Sequence, residues 1–128
     1  NTASFLGLYD QSLGDQFVHS YIRPQECGYK TDVRWLMLQD KSGQGIKITG
    51  LQPLGFSALP YTTEDLDPGL TKKQRHPSDL HERDFIDLHV DLSQRGVAGD
   101  NSWGMLPHRP YRLLGHQYGY GFVIGPAQ

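Results

Sequence analysis

A tryptophan stands at the tip of a polar, glycine-bounded run, residues 99–104 (Gly-Asp-Asn-Ser-Trp-Gly). The face of an indole ring can stack on the apolar C–H face of a sugar, and Asp100, Asn101 and Ser102 could hydrogen-bond to sugar hydroxyl groups. Alternatively, Trp103 could fold back and cap a hydrophobic core, because a large aromatic side chain buries much apolar area. The residue types alone leave both interpretations open.

The six histidines of the sequence raise the question of a metal site. His76 and His81 lie close to acidic residues, and His89 stands between Asp87 and Asp91 on one face of a predicted strand. Zinc sites usually have closely spaced ligand pairs, for example two ligands on one helix face, and that spacing does not occur here. We therefore expect a solvated polar surface and no metal site.

No segment has the pattern of a catalytic centre. Glycosidase chemistry needs two carboxyl groups in different environments, one of them desolvated so that its pKa rises. Glu26 lies in an unusual turn, where we expect it to accept hydrogen bonds from backbone amides. The sequence has no Gly-x-Ser-x-Gly motif, and Cys27 has no basic partner beside it. We predict no catalytic residue in this chain.

Composition excludes several classes of protein. The net charge is −2 and no block of like charge occurs, which argues against a nucleic-acid binder or a polybasic membrane anchor. No apolar run approaches the roughly 20 residues that span a bilayer. The single cysteine cannot form an internal disulfide, so it does not distinguish a cytoplasmic from a periplasmic protein. Because the sequence begins at Asn1 without a methionine, we expect a piece of a longer protein.

Apolar alternation and turn residues predict an all-β fold. Fifteen glycines and eight prolines in 128 residues favour short strands over long helices. We predict strands over residues 4–9, 16–23, 31–39, 46–51, 54–59, 84–92 and 118–124. One short helix should begin at Thr62, and a long loop over residues 93–109 should carry Trp103. The chain, residues 1–128, is predicted to be a single antiparallel β-sandwich domain or a portion of one.

Three stretches resemble lac-type β-galactosidases of glycoside hydrolase family 2. Residues 17–35 (Phe-Val-His-Ser-Tyr-Ile-Arg-Pro-Gln-Glu-Cys-Gly-Tyr-Lys-Thr-Asp-Val-Arg-Trp) resemble that family's Tyr-x-x-Pro-Gln-Glu-Asn-Gly-x-(Lys/Arg)-Thr-Asp-x-Arg-Trp signature. Residues 84–92 and 99–104 are similar to its strand and Gly-Gly-Asp-x-Ser-Trp-Gly loop, and residues 110–112 and 118–124 to its chain terminus. The chain departs from the pattern with Cys27 in place of asparagine and with Ala98 in place of the first loop glycine.

The resemblance implies the C-terminal part of a large multidomain enzyme, within a galactose-mutarotase-like β-supersandwich. The family's two catalytic glutamates perform a retaining double displacement in an upstream (β/α)-barrel, so the fragment alone should be inactive. Mg²⁺ and Na⁺, which the family often uses near the barrel, are likewise expected outside this segment. By position, Trp103 is implied to stack on the sugar in the non-galactose subsite. Asp100, Asn101 and Ser102 are weaker candidates for sugar binding.

The partners implied by the resemblance are the remaining domains of the parent enzyme and a β-galactoside such as lactose. A homo-oligomer is a further candidate, whereas nucleic acid and membrane are not. Two interpretations from other classes stay open. The chain could be an independent carbohydrate-binding module, or a purely structural segment that packs against the barrel or across subunits and covers unpaired strand edges.

Overall fold

Most of the regular secondary structure is antiparallel β-sheet. The computed structural model describes residues 5–19, 21–24, 26–67, 69–71, 75–101 and 103–127. The strands in these ranges are β1 (Lys30–Gln39), β2 (Gly45–Leu59), β3 (Asp87–Asp91) and β4 (Phe122–Pro126). Across the same ranges there is one α-helix, α1 (Thr63–Leu66), with short 3₁₀ turns at Gly14–Gln16, Gly69–Thr71, Pro77–Asp79 and Arg109–Tyr111. The predicted all-β class with at most one short helix is confirmed, and the structure is consistent with a sandwich-like domain.

The long strand β2 pairs with each of the other described strands. The sheet has the order β1-β2-β3, and β4 pairs with β2 as well. The β2–β4 pair is antiparallel, with Ile48 opposite Ile124. A tight turn joins β1 to β2, in which the Asp40 Oδ1 atom accepts hydrogen bonds from the amides of Ser42 (2.8 Å) and Gln44 (3.1 Å). The turn thus connects the strand predicted over residues 31–39 to the one predicted to begin at residue 46.

The chain forms two compact units. The first contains Asn1–Lys30 and Phe56–Val90, and the second contains Thr31–Gly55 and Asp91–Gln128. In the first unit a buried cluster consists of Cys27, Leu59, Tyr61 and Leu66, with Phe17, Ile22 and Leu80 packed against it. In the second unit Ile48 and Leu54 are fully buried. The single-domain assignment of residues 1–128 stays a prediction.

The two strands predicted nearest the N-terminus are wrong over the residues described. Residues 5–9 have no regular structure, and the predicted start of the second strand is the 3₁₀ turn Gly14–Gln16. The Val18 carbonyl then accepts a hydrogen bond from the Tyr21 amide at 2.8 Å, which turns the chain. The apolar residues of this segment reach the core without strand pairing, since the Phe17 ring packs on the Tyr61 ring at 4.9 Å between centroids.

The bounds of other predicted strands also differ in the structure. The strands predicted over residues 46–51 and 54–59 are the single strand β2, and the strand predicted over residues 84–92 is shortened to β3. The strand predicted over residues 118–124 is β4, which begins at Phe122, and just before it the Gly121 carbonyl accepts a hydrogen bond from the Leu51 amide at 3.0 Å. The Gln52 side-chain amide donates to the Gly121 carbonyl (3.2 Å) and accepts from the Gly121 amide (3.3 Å).

The short helix predicted to begin at Thr62 is α1, and a capping box starts it. The Thr62 Oγ1 atom accepts a hydrogen bond from the Asp65 amide (3.3 Å), and the Asp65 carboxylate accepts one from the Thr62 amide (3.0 Å). Asp65 also receives two hydrogen bonds from the Arg83 guanidinium, at 2.7 and 3.0 Å. These donors, Arg83 first, hold the pKa of Asp65 well below its usual range. Asp65 therefore joins the helix start to the segment that carries Arg83.

The first prediction concerns pH and the stability of this junction. Because the folded-state pKa of Asp65 is lowered, its stabilisation is fully present above the unfolded-state pKa of about 3.9 and is lost as pH falls below it. At pH 7, Asp65→Asn should lower the free energy of unfolding by about 1–2 kcal/mol. That difference should shrink as the pH is lowered from 5 towards 2 in urea unfolding curves.

Glu64→Gln is the matched control for this prediction, since it removes an exposed carboxylate from the same helical turn and leaves the Arg83 pair intact. It should have little effect at either pH. A constant destabilisation of Asp65→Asn across the whole pH range would show that the carboxylate charge is not what stabilises the junction.

Candidate functional site

The loop that carries Trp103 is closed at its base by two backbones in close contact. The Gly96 amide donates a hydrogen bond to the Tyr111 carbonyl at 2.7 Å. A Cβ atom at residue 96 would lie 2.6 Å from the Tyr111 Cβ, so this approach requires glycine. Residues 96–111 thus leave and return at one point, as in an Ω-loop. The prediction of a long irregular loop around Trp103 is confirmed.

A second contact closes the loop nearer its tip. The His108 Nε2 and Asp100 Oδ2 atoms are 2.6 Å apart. An ionised carboxylate can only accept a hydrogen bond, so the Nε2–H group of His108 is the donor. Hydrogen bonds to a charged acceptor are short and about twice as strong as neutral ones. Arg112 adds a hydrogen bond from its Nε atom to the Pro107 carbonyl, on the same side of the loop.

Asn101 organises the tip itself. Its Oδ1 atom accepts a hydrogen bond from the Trp103 amide at 2.9 Å, the Asx turn by which asparagine mimics a backbone turn. Its Nδ2 atom contacts the Met105 Sδ atom at 3.4 Å. Gly104 has a φ of +83°, a left-handed conformation that glycine adopts without steric cost. The Trp103 amide is therefore held by the Asn101 side chain, and the next residue, Gly104, turns the chain.

The Trp103 side chain projects away from the protein. It is 91% exposed, compared with 41% for Trp35, over whose ring the Lys47 Nζ atom lies at 5.3 Å from the centroid. Trp103 is therefore not a core residue of its compact unit, contrary to the core-capping interpretation. The loop brings Asp100, Asn101 and Trp103 together. Ser102 lies outside the residues that the structure describes.

The residues considered for catalysis have structural partners. Glu26 accepts a hydrogen bond from the Tyr21 hydroxyl at 2.5 Å, and this bond raises the pKa of Tyr21. Cys27 is fully buried in the core of the first unit, and burial raises the pKa of its thiol. In the position where the resembled signature has asparagine, Cys27 thus packs as a small apolar side chain.

The histidine-rich segment does not assemble a cluster of ligands in the described part of the chain. The His89 Nε2 atom lies 3.3 Å from the Asp87 carboxylate on β3. No group of three or more His, Cys, Asp or Glu side chains among the described residues is placed to hold a metal ion. None of the helices described is long and apolar enough to span a bilayer.

Sequence reasoning missed Gly96 and His108 as parts of this site. Both act across the loop, at positions 15 and 8 residues from their partners Tyr111 and Asp100. Pairs so far apart cannot be recognised from helix or strand periodicity. The turn-forming residues Gly104 and Pro107 between Asp100 and His108 were the available signal, since they favour a reversal that brings the two ends together.

The sequence of this chain matches a known protein family. The family model described as β-galactosidase small chain matches residues 1–124. This match covers nearly the whole sequence, so the chain belongs to the β-galactosidase small chain family. The resemblance inferred from the motifs is confirmed.

Curated relatives agree with this family. The chain is 36% identical over 126 residues to a β-galactosidase of Priestia megaterium, covering 98% of this chain and 12% of the relative. It is 34% identical over 115 residues to β-galactosidase BgaC of Bifidobacterium adolescentis (88% and 10%). It is 33% identical over 125 residues to a β-galactosidase of Streptococcus thermophilus (96% and 12%). The chain thus spans about a tenth of the length of these relatives.

The closed base of the loop leads to a second prediction. Gly96→Ala should separate the Gly96 and Tyr111 backbones, because the added methyl group overlaps the Tyr111 side chain. Amide hydrogen exchange of residues 96–111 should become faster, and limited proteolysis within the loop should increase. Gly99→Ala is the matched control, because a Cβ atom there meets nothing within 4 Å. Equal exchange rates in both variants would mean that the base contact does not hold the loop.

Proposed function

We propose that this chain is a noncatalytic β-sandwich segment of a β-galactosidase, where it supplies Trp103 to the sugar-binding site. The observation that carries the proposal is a 91% exposed indole at the tip of a loop closed at its base. The family match and the β-galactosidase relatives, about ten times longer than this chain, supply the enzyme context. The substrate class is a terminal β-D-galactoside such as lactose.

In this proposal the bond-breaking groups lie in the rest of the enzyme. Hydrolysis with retention needs a carboxylate nucleophile and an acid/base carboxyl group about 5–5.5 Å apart. Asp100, the carboxylate near Trp103, is hydrogen-bonded to His108. This pair is not the pair of carboxyl groups that the reaction needs. The chain's contribution is therefore binding. The C–H face of the sugar in the non-galactose subsite would rest on the indole face, as apolar surfaces do against aromatic rings.

Loss of the stack should affect binding more than chemistry. An aromatic stack contributes about 0.5–1.5 kcal/mol beyond area burial, or roughly 2- to 12-fold in affinity. The contact is made in both the ground state and the transition state, and removing such a contact raises KM while kcat stays the same. In the full-length β-galactosidase, Trp103→Ala should raise KM for lactose by roughly that factor, and Trp103→Phe should recover part of the loss.

Trp35→Phe is the control for this third prediction, because Trp35 lies on β1 under Lys47 rather than in the loop. It should leave KM unchanged. A Trp103→Ala enzyme with unchanged KM, or one that loses several kcal/mol of stability with normal kinetics, would contradict the proposed platform. The isolated 128-residue chain tests the noncatalytic assignment. It should neither hydrolyse lactose nor bind it measurably. Tight binding by the isolated chain would instead favour an independent carbohydrate-binding module.

A second, structural role is favoured by the apolar surface of the chain. Around the β2–β4 pair, Leu51 is 75% exposed, and Val123 and Ile124 are each 58% exposed. Phe5 and Leu8 of the first unit are 94% and 85% exposed. Soluble monomers rarely leave large apolar patches uncovered. We propose that these side chains pack against other parts of the parent enzyme or across subunits of a homo-oligomer.

Self-association of the isolated chain tests this role. With its partner surfaces missing, the chain should form dimers or larger species at micromolar concentration, measured by multi-angle light scattering. Leu51→Gln combined with Val123→Thr should shift the distribution towards the monomer, since both changes reduce exposed apolar area. A wild-type chain that stays monomeric at high concentration would contradict the packing role.

A further inference from the structure

We propose that Asp100 and His108 are a pair of positioning residues that set the orientation of Trp103, and that Asp100 is not itself a sugar ligand. The inference rests on the proposed function of Trp103 as a sugar platform. It assigns the acidic residue of the loop a different role from the hydroxyl-binding one that its residue type suggests. It also gives a role to His108, which no sequence pattern singles out.

Because Trp103 is exposed, its orientation depends on positioning residues in the loop. A core tryptophan is oriented by the atoms packed around it, but an indole that is 91% exposed has few neighbours to hold it. Its direction must then be set by the backbone that carries it. A loop with few buried contacts opens at low free-energy cost unless hydrogen bonds within it resist the motion.

The contacts in the loop are nested around Trp103. The outermost is the Gly96–Tyr111 backbone hydrogen bond at 2.7 Å, the next is the Asp100–His108 hydrogen bond at 2.6 Å, and the innermost is the Asn101–Trp103 hydrogen bond at 2.9 Å. The middle contact joins side chains on the two arms of the loop, and nearer the tip the Asn101 Nδ2 and Met105 Sδ atoms, 3.4 Å apart, do the same. Without the Asp100–His108 hydrogen bond, the contacts left between the two arms would be the weak amide–sulfur contact near the tip and the backbone hydrogen bond at the base.

The chemistry of the pair suits a positioning role better than a binding role. One oxygen of Asp100 accepts a short hydrogen bond from a ring nitrogen, and this bond joins two side chains that are otherwise exposed (Asp100 46%, His108 67%). The benefit to binding is indirect. A loop that is already ordered before the sugar arrives does not lose conformational entropy on binding, and affinity rises accordingly.

Fluorescence measures the positioning role without any sugar. The chain has two tryptophans, so Trp35→Phe leaves Trp103 as the sole indole fluorophore. In that background, Asp100→Ala and His108→Ala should each increase the fast, nanosecond depolarisation of Trp103, and the double variant should show no further increase. His108→Gln should retain the wild-type signal, because its amide N–H can still reach the carboxylate.

His116→Ala is the control, an exposed histidine outside the loop whose loss should not change the anisotropy decay. Unchanged depolarisation in Asp100→Ala and His108→Ala would overturn the inference, whatever the outcome of the activity measurements. The fluorescence readout does not depend on catalysis. The positioning role can therefore fail while the proposed sugar-binding function stands, and the sugar-binding function can fail while the positioning role stands.

Kinetics of the full-length β-galactosidase separate positioning from direct sugar binding. Asp100→Ala and His108→Ala should each raise KM for lactose about threefold with kcat unchanged, and the double variant should match the single ones. Neither should have an effect when added to Trp103→Ala, since both act through that residue. Multiplicative effects of the two changes, or an effect of Asp100→Ala that persists in Trp103→Ala, would identify Asp100 as a sugar ligand and overturn the inference.

Discussion

The pairing of β2 with three other strands is the constraint on which the rest of the described structure depends. β1 reaches β2 through a tight turn, and β3 and β4 both pair with β2. The loop that carries Trp103 runs from β3 to β4, so both of its ends are connected to strands held by the same partner. Next to the start of β4, both the Leu51 amide and the Gln52 side chain bond to Gly121. A functional loop on a paired scaffold is the usual arrangement for binding residues.

Exposure of the indole decides how the loop is interpreted. Because Trp103 is not buried, the apolar area of its ring can still be buried against a partner outside the chain. The polar residues beside it then divide between two tasks. Asn101 shapes the turn at Trp103, and Asp100 pairs with His108. A sequence rich in hydrogen-bonding groups around a tryptophan thus matches a carbohydrate site in composition, while in the structure those groups bond to the loop.

Sequence could predict the features that depend on neighbouring residues. The short helix that begins at Thr62 and the existence of strands β1 and β3 follow from local patterns. The N-terminal strands could not be predicted correctly, because apolar alternation does not tell whether a pairing partner exists. There, Phe17 packs on Tyr61 from an irregular segment.

The site could be predicted only in part, because some of its contacts join residues that are far apart in the sequence. Trp103 was identified by its residue type and by the family signature. The Asp100–His108 hydrogen bond and the Gly96–Tyr111 closure depend on how the loop folds back, which no local pattern encodes. The Gln52 side chain likewise bonds to Gly121, 69 residues away along the chain, and no local pattern indicates that contact.

The most direct test of the central claim is a crystal structure of the full-length, catalytically inactivated β-galactosidase with lactose bound. The account predicts that the Trp103 ring lies face-on to the glucose unit, with carbon–carbon distances of about 3.5–4.0 Å. A structure in which Trp103 packs against another part of the enzyme, with no sugar carbon near its ring, would contradict it.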